Sequence, residues 1–290
     1  MDYHPLSFVH DVALDVERKL VFITASTGVN IFDFSDPNEL SLISIYINYT
    51  TSTFIQLEGV LLYVGAEERG LQIVNVTDPY EPILIGYWND SIGHVGPMYV
   101  LDNYAFVGTR LPNIDGPPTV LDLKVLDISD PTNITYVSTV DTGEGYDGGA
   151  PRAHNNNLVY FNDHDNGLKI LNFTDPNDVK VIGTYSDGGS YNDIELINQD
   201  ILYLTDDYEG LKVINCSNPE EPCLISFYKQ SWRTIRVLVQ DERVYVSTFG
   251  GGVRILSSEI ETRKTEVNLL FIISGLTMAT LILLGKRKKN

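Results

Sequence analysis

The sequence predicts an all-β fold built from repeated four-stranded antiparallel sheets, and three observations carry that prediction. The first is a phrase written five times. It reads Gly28-Val-Asn-Ile-Phe-Asp-Phe-Ser-Asp-Pro37, Gly70-Leu-Gln-Ile-Val-Asn-Val-Thr-Asp-Pro79, Asp122-Leu-Lys-Val-Leu-Asp-Ile-Ser-Asp-Pro131, Gly167-Leu-Lys-Ile-Leu-Asn-Phe-Thr-Asp-Pro176 and Gly210-Leu-Lys-Val-Ile-Asn-Cys-Ser-Asn-Pro219. The second is its period: the prolines at 37, 79, 131, 176 and 219 lie 42, 52, 45 and 43 residues apart, a range that signals stacked supersecondary units. The third is the content of each period, which holds four short apolar runs bounded by Asn, Asp, Gly or Pro. Four short strands in a period of this length is the blade pattern of a β-propeller.

The stretch from Ser190 to Gln230 shows one unit complete. Asp193–Ile197, Ile201–Thr205, Leu211–Asn215 and Cys223–Tyr228 are its four predicted strands. Both faces of these strands carry apolar residues, as expected of a sheet sandwiched between two neighbours. In the turn after the third strand, proline presets φ, and the preceding carboxylate or amide can accept backbone N–H bonds. The glycine opening each phrase allows positive φ at the entry from the second strand to the third. Asp122 replaces it in the third unit, after a long insertion.

The sixth unit has predicted strands near Thr234–Val239, Arg243–Phe249 and Val253–Ser257, without an Asp-Pro turn or a clear fourth strand. The N-terminal stretch Asp2–Leu6 is the candidate to supply that strand. The expectation is therefore six blades over residues 1–258, the alternative being a ring that lacks a blade or an N-terminal section. Residues 259–266 read as a polar linker, 267–285 as one transmembrane α-helix and 286–290 as a basic tail.

The repeated phrase resembles the LVIVD repeat of bacterial and archaeal surface proteins, over roughly residues 8–257. The resemblance implies a propeller fold. It implies no catalytic motif that maps onto this chain.

Val267–Gly285 contains no charged residue. As a helix of 1.5 Å rise per residue it would extend roughly 28 Å, close to the thickness of a bilayer core. Lys286-Arg-Lys-Lys289 follows it, and a basic flank marks the cytoplasmic side. The expected placement is a single-pass cell-membrane protein with its propeller outside and the lipid bilayer as a partner. The start Met1-Asp-Tyr-His-Pro conflicts with that placement, having neither the basic nor the apolar region of a secretory signal. Either this start is internal to a longer gene, or export uses the C-terminal span itself.

The net charge of −19 disfavours nucleic acid, whose phosphates would be repelled, and suits cations or basic ligands. Six Asn-x-Ser/Thr sites begin at Asn48, Asn75, Asn89, Asn133, Asn172 and Asn215. Asn75, Asn172 and Asn215 occupy one repeat position, where the turn itself asks for the pattern. Asn48 and Asn89 follow fourth strands and are the glycosylation candidates. Cys216 and Cys223 flank one tight turn, and their spacing admits either a disulfide or two small apolar residues.

In a propeller, the loops joining strand two to three share a face with those joining strand four to the next blade. The long, charged segments fall there: Glu67–Arg69, Arg110–Thr119, Asp141–Gly149, Asn162–Asn166, Asp187–Gly189 and Asp206–Glu209. This face is the expected binding face, with His94, Asp147, Arg152, His154, Asp163, Asp193 and Asp206 as candidate ligand-binding residues. Asp163 and Asp165, followed by Gly167, resemble the start of a calcium loop, but the downstream Glu of an EF-hand is missing. Ca²⁺ is the cofactor candidate, against a merely solvated acidic loop. Trp88, Trp232 and Tyr208 read either as stacking platforms or as wedges between blades. The expected function is a binding module for an extracellular protein, peptide or glycan. The alternative is an extracytoplasmic hydrolase or lyase using acids and histidines at the channel mouth.

Overall fold

A computed structural model describes residue 6 and residues 9–26, 28–36, 39–47, 54–89, 94–110, 120–142, 151–164, 166–240, 243–257 and 271–273. Two compact units divide the chain, residues 1–140 and 141–290.

The first unit holds three sheets. Val12–Asp15 (β1), Leu20–Ala25 (β2), Gly28–Asp33 (β3) and Ser41–Ile47 (β4) form the first; Phe54–Glu58 (β5), Leu61–Gly65 (β6), Leu71–Asn75 (β7) and Ile83–Trp88 (β8) form the second. His94–Leu101 (β9), Tyr104–Arg110 (β10), Val120–Asp127 (β11) and Thr135–Val140 (β12) form the third. The second unit also holds three. Pro151–Asn155 (β13), Leu158–Asp163 (β14), Gly167–Asn172 (β15) and Lys180–Tyr185 (β16) are followed by Tyr191–Leu196 (β17), Ile201–Asp206 (β18), Gly210–Asn215 (β19) and Cys223–Tyr228 (β20). Thr234–Gln240 (β21), Arg243–Thr248 (β22), Gly252–Ser257 (β23) and Phe271–Ile273 (β24) complete it. Every sheet is antiparallel and ordered as the chain runs. These are six propeller blades of four strands each.

Alternation of side chains explains why both strand faces are apolar. In the second blade, Leu62, Val64 and Val74 pack with Phe22 and Ile31 of the first. Their neighbours Tyr63, Leu71 and Ile73 point the other way and pack with Val100, Val107 and Leu126 of the third. The second unit repeats the scheme, with Tyr160, Ile170, Tyr191, Leu202 and Ile214 in one interlayer and Tyr203, Val213, Val237, Val246 and Leu256 in the next.

The repeated phrase is a hydrogen-bonding programme. In the first five blades the last residue of the third strand accepts the N–H two residues on: Ser35 to Asp33 at 2.5 Å, Thr77 to Asn75 at 2.8 Å, Ser129 to Asp127 at 2.8 Å, Thr174 to Asn172 at 2.9 Å and Ser217 to Asn215 at 2.8 Å. The residue before the proline then repeats the move, Asp78 accepting Tyr80 N–H and Asp130 accepting Thr132 N–H, both at 2.9 Å. Two successive Asx turns therefore reverse the chain. This explains the Asn-x-Ser/Thr pattern at Asn75, Asn172 and Asn215 by turn geometry.

The turn also locks one blade to the next. Ser44 on β4 donates its hydroxyl to the Pro79 carbonyl at 2.5 Å. At the same position of their own blades, Gly86 and Gly183 lie so close to the carbonyls of Pro131 and Pro219 that a Cβ would overlap the oxygen. A ladder bulge immediately precedes this position on the outer strand in each of the first five blades, so the outer strand is bent at the point of contact.

The sixth blade departs from the expectation in one respect. Its fourth strand is Phe271–Ile273, Val253 pairing with Ile273 and Ile255 with Phe271; Asp2–Pro5 lies outside the described residues. These three residues belong to the segment expected to form a transmembrane helix, the rest of which also lies outside them. Among the described residues no helix is long and apolar enough to cross a membrane.

Candidate functional site

The second unit concentrates buried charge at the ends of β14 and β18, on the side of the β14–β15 and β18–β19 turns. Asp206 ends β18 and Lys212 lies two residues past Gly210 on β19. Lys212 is 3% exposed and its ammonium stands 2.7 Å from Asp206 Oδ2 and 2.6 Å from Asp187 Oδ1. Its Nζ also lies 5.1 Å from the centre of the Tyr191 ring. Tyr191 and Tyr185 donate their phenols to Asp187 at 2.5 and 2.7 Å. Burial alone would raise the Asp187 carboxyl. The hydrogen bonds from Lys212, Tyr191 and Tyr185, with the Lys212 charge, bring it down to about 2. Burial works against the Lys212 charge, and its two carboxylates raise its pKa nonetheless. The β14 end repeats the device, with Asp163 Oδ2 3.1 Å from Lys169 Nζ and Lys169 donating to the Thr142 carbonyl.

These pairs decide what the predicted acids do. Asp163 pairs with Lys169 and Asp206 with Lys212; Asp165 lies outside the described residues. Among the described residues no three His, Cys, Asp or Glu side chains gather as a metal site. Asp193 is an inter-blade staple: its Oδ2 accepts Val237 N–H at 3.1 Å, while Thr205 Oγ1 accepts the Asp193 N–H at 2.9 Å. Asp11 does the same in the first unit, accepting Ile55 N–H at 3.1 Å, with Thr24 Oγ1 accepting its own N–H at 2.7 Å.

His154 is exposed and pairs with Val159 beside the Asn156–Asn157 turn, at the opposite end of the hairpin from Asp163. His94 opens β9 and Arg152 lies in β13, with side chains outside the description; Asp147 lies outside it altogether. Asn89 is exposed and donates to the Glu68 carbonyl at 3.1 Å, whereas Asn48 lies outside. Of the two readings open for Cys216 and Cys223, the structure shows free thiols and no disulfide, Cys216 buried and Cys223 exposed on the outer strand. Cys216 points into the packing with Tyr160 and Ile214, and burial first, then Cys223 and Asp200, pushes its thiol up to about 12.

The aromatics separate cleanly. Trp88 is a wedge, packed against Tyr63 and Leu71. Tyr208, Trp232 and Phe249 are 75%, 49% and 71% exposed. They come from three segments: the β18–β19 turn, the β20–β21 connection and the β22–β23 turn. Polar contacts tie these together. Arg233 Nε reaches Asp207 Oδ1 at 2.7 Å, and Phe249 N–H donates to the Arg233 carbonyl at 2.8 Å. Asn192 donates to Asp207 and, at 2.7 Å, to the Thr234 carbonyl. His164 Nε2 lies 4.0 Å from Asp207 Oδ2. Sequence reasoning found Tyr208 and Trp232 but missed Phe249, Lys169, Lys212 and Asp207. The lysines had a readable signal, since Asp-x3-Gly-x-Lys occurs at both 163–169 and 206–212.

Comparison with known proteins bears on fold and family. The LVIVD repeat model matches residues 53–90 and 120–142, in the second and third blades. No curated protein matches the chain at a significant level. Among solved structures 1096 chains match. One is the computationally designed Ika8 protein, with a TM-score of 0.65, 13% identity, and coverage of 88% of this chain and 73% of that one. At that identity the likeness shows the fold alone. The repeat match in the second and third blades, the five-fold phrase and the six four-stranded antiparallel blades together make this chain a six-bladed β-propeller that carries LVIVD repeats.

Proposed function

We propose that this propeller is a membrane-anchored, extracytoplasmic binding module whose ligand docks on the loop face of the second unit. A repeat propeller is in general an interaction scaffold, and the finer reading rests on one observation. Tyr208, Trp232 and Phe249 are exposed on three loops tied to one another by the Arg233–Asp207 pair and the Phe249–Arg233 backbone bond, above the buried Lys212–Asp206 pair. Large aromatics left in water on a rigid base are the usual energetic anchors of recognition. The acids below them are already engaged by lysine, tyrosine or backbone N–H groups, so they serve to hold the loops.

Anchoring is supported by the uncharged run Val267–Gly285 and the basic Lys286–Lys289 that follows. In a bilayer every backbone polar group of that run must be satisfied within it, which requires a helix. Phe271–Ile273 would then exchange three pairings with β23 for helical ones. The placement is tested by protease treatment of intact cells: the propeller is degraded while the basic tail, carrying an added epitope, survives. An uncut propeller refutes it. The binding face is tested with a variant lacking all three aromatic side chains, which is expected to fold and to lose ligand; retention of every wild-type ligand refutes it.

A further inference from the structure

Resting on that binding-face reading, we infer that the aromatic cluster of the second unit is a carbohydrate platform, taking the apolar face of a neutral sugar ring on Trp232. The Trp232 ring is seated on the β22–β23 turn. A Cβ on Gly251 would stand 2.9 and 3.0 Å from its Cγ and Cδ1, and one on Gly250 would stand 3.5 Å from its Cζ3. Two glycines thus make room for the indole, fixing its orientation while it stays half in solvent. A ring held this way loses little conformational freedom when a ligand lands on it.

The surroundings favour a neutral, hydroxyl-rich ligand. The chain is strongly acidic, yet the charges around the cluster are paired: Arg233 with Asp207 at 2.7 Å and Lys229 with Glu209 at 3.2 Å. The patch therefore recruits no charged partner. Its rim still offers the planar, half-exposed guanidinium of Arg233 and the exposed Glu209 carboxylate. Each can bridge two neighbouring hydroxyls through paired hydrogen bonds, while the aromatic faces receive the C–H side of the ring. An extended peptide would need free backbone groups for strand addition. Here they are engaged: Tyr208 and Glu209 N–H groups are held by Asp206 Oδ1 at 2.9 and 3.0 Å, and Phe249 N–H by Arg233 at 2.8 Å.

The experiment applies the full chain to a printed array of neutral β-glucan, chitin, mannan and galactan oligosaccharides. Hits are followed by tryptophan fluorescence titration. Wild type is expected to bind at least one class, with a shift in emission. Trp232→Ala should weaken binding about tenfold or more, the scale of losing an aromatic anchor, with the melting temperature lowered by only a few degrees and the fold retained because half of the ring lies in solvent. Gly251→Val, which displaces the indole, should weaken it likewise, and Trp232→Phe should retain part of it. Absence of any neutral oligosaccharide binding overturns the carbohydrate assignment. So does Trp232-dependent binding to a proline-rich peptide array in its place, although the binding face then stands. Saccharide binding at wild-type strength by Trp232→Ala, Tyr208→Ala and Phe249→Ala combined overturns both.

Discussion

Replacing Glu195 by glutamine should stabilise the protein at alkaline pH and leave it unchanged in acid. Glu195 lies on β17, where burial, with Asp193 adding to it and a backbone hydrogen bond at Val239 opposing it, pushes its carboxyl from 4.5 up to about 7. A shift of that size corresponds to roughly 3 kcal/mol, at about 1.4 kcal/mol per pH unit. The sign follows from proton binding: the folded chain holds this proton more tightly than the unfolded chain. Below 4.5 both states are protonated and nothing is lost, whereas between 4.5 and about 7 folding stability falls, and above that the whole cost is in place. The replacement has a precedent in the first unit. Gln56 pairs with Tyr63 as Glu195 pairs with Tyr203, and its amide both accepts from Val100 N–H and donates to the Val100 carbonyl at 2.8 Å. Glutamine at 195 would offer Val239 the same two bonds without charge. For a chain of this size the gain is roughly 6 °C in Tm near pH 8, shrinking toward zero near pH 4.5. Differential scanning calorimetry of both proteins across that range measures it. A Tm difference that does not change with pH, or a variant less stable at pH 8, would refute the reasoning.

Three further outcomes follow from contacts already described. Lys212→Met leaves Asp206 buried without its cation, and should cost about 3–5 kcal/mol in urea unfolding at neutral pH; a loss below 1 kcal/mol would mean that the pair contributes little. Gly183→Ala forces a methyl onto the Pro219 carbonyl and should cost about 1–3 kcal/mol, whereas Gly188→Ala, where nothing lies within 4 Å of the added carbon, should cost less despite its positive φ. Asn172→Asp should be nearly neutral at pH 7, because Asp33 and Asp127 hold the same turn elsewhere and their serine hydrogen bonds lower both carboxyls. Asn172→Ala should lose about 1 kcal/mol, read from the same denaturation curves.

Most of the architecture was legible because it is written in local terms. Alternation, turn chemistry and a fixed period specify the strands, and the predicted Ile201–Thr205 and Cys223–Tyr228 match β18 and β20 to within a residue. Side-chain roles were less legible, since they depend on which neighbour a residue meets. Asp193 reads in the sequence as a candidate ligand-binding residue, and only the approach of Val237 shows it as a staple. Asp163 and Asp206 read as candidate ligand-binding residues, and the structure pairs them with Lys169 and Lys212, both of which stand in the repeated phrase itself. Phe249 was placed at a strand end, and its exposure depends on the glycine turn that follows. The outer strand of the sixth blade comes from Phe271–Ile273, beyond the reach of any local pattern.

The proline-carbonyl contact has a consequence for how such chains diversify. Ser44, Gly86 and Gly183 meet the following blade at the Asx-turn end of the sheets, away from the connections that carry Tyr208 and Trp232. Assembly and recognition are thereby written at opposite tips of each sheet. The nine residues 111–119 sit between β10 and β11 without disturbing the Asp127–Thr135 pairing at the other end. Segments grafted between second and third strands should therefore alter what the chain grips while leaving its scaffold intact, making it a chassis for transplanted specificity.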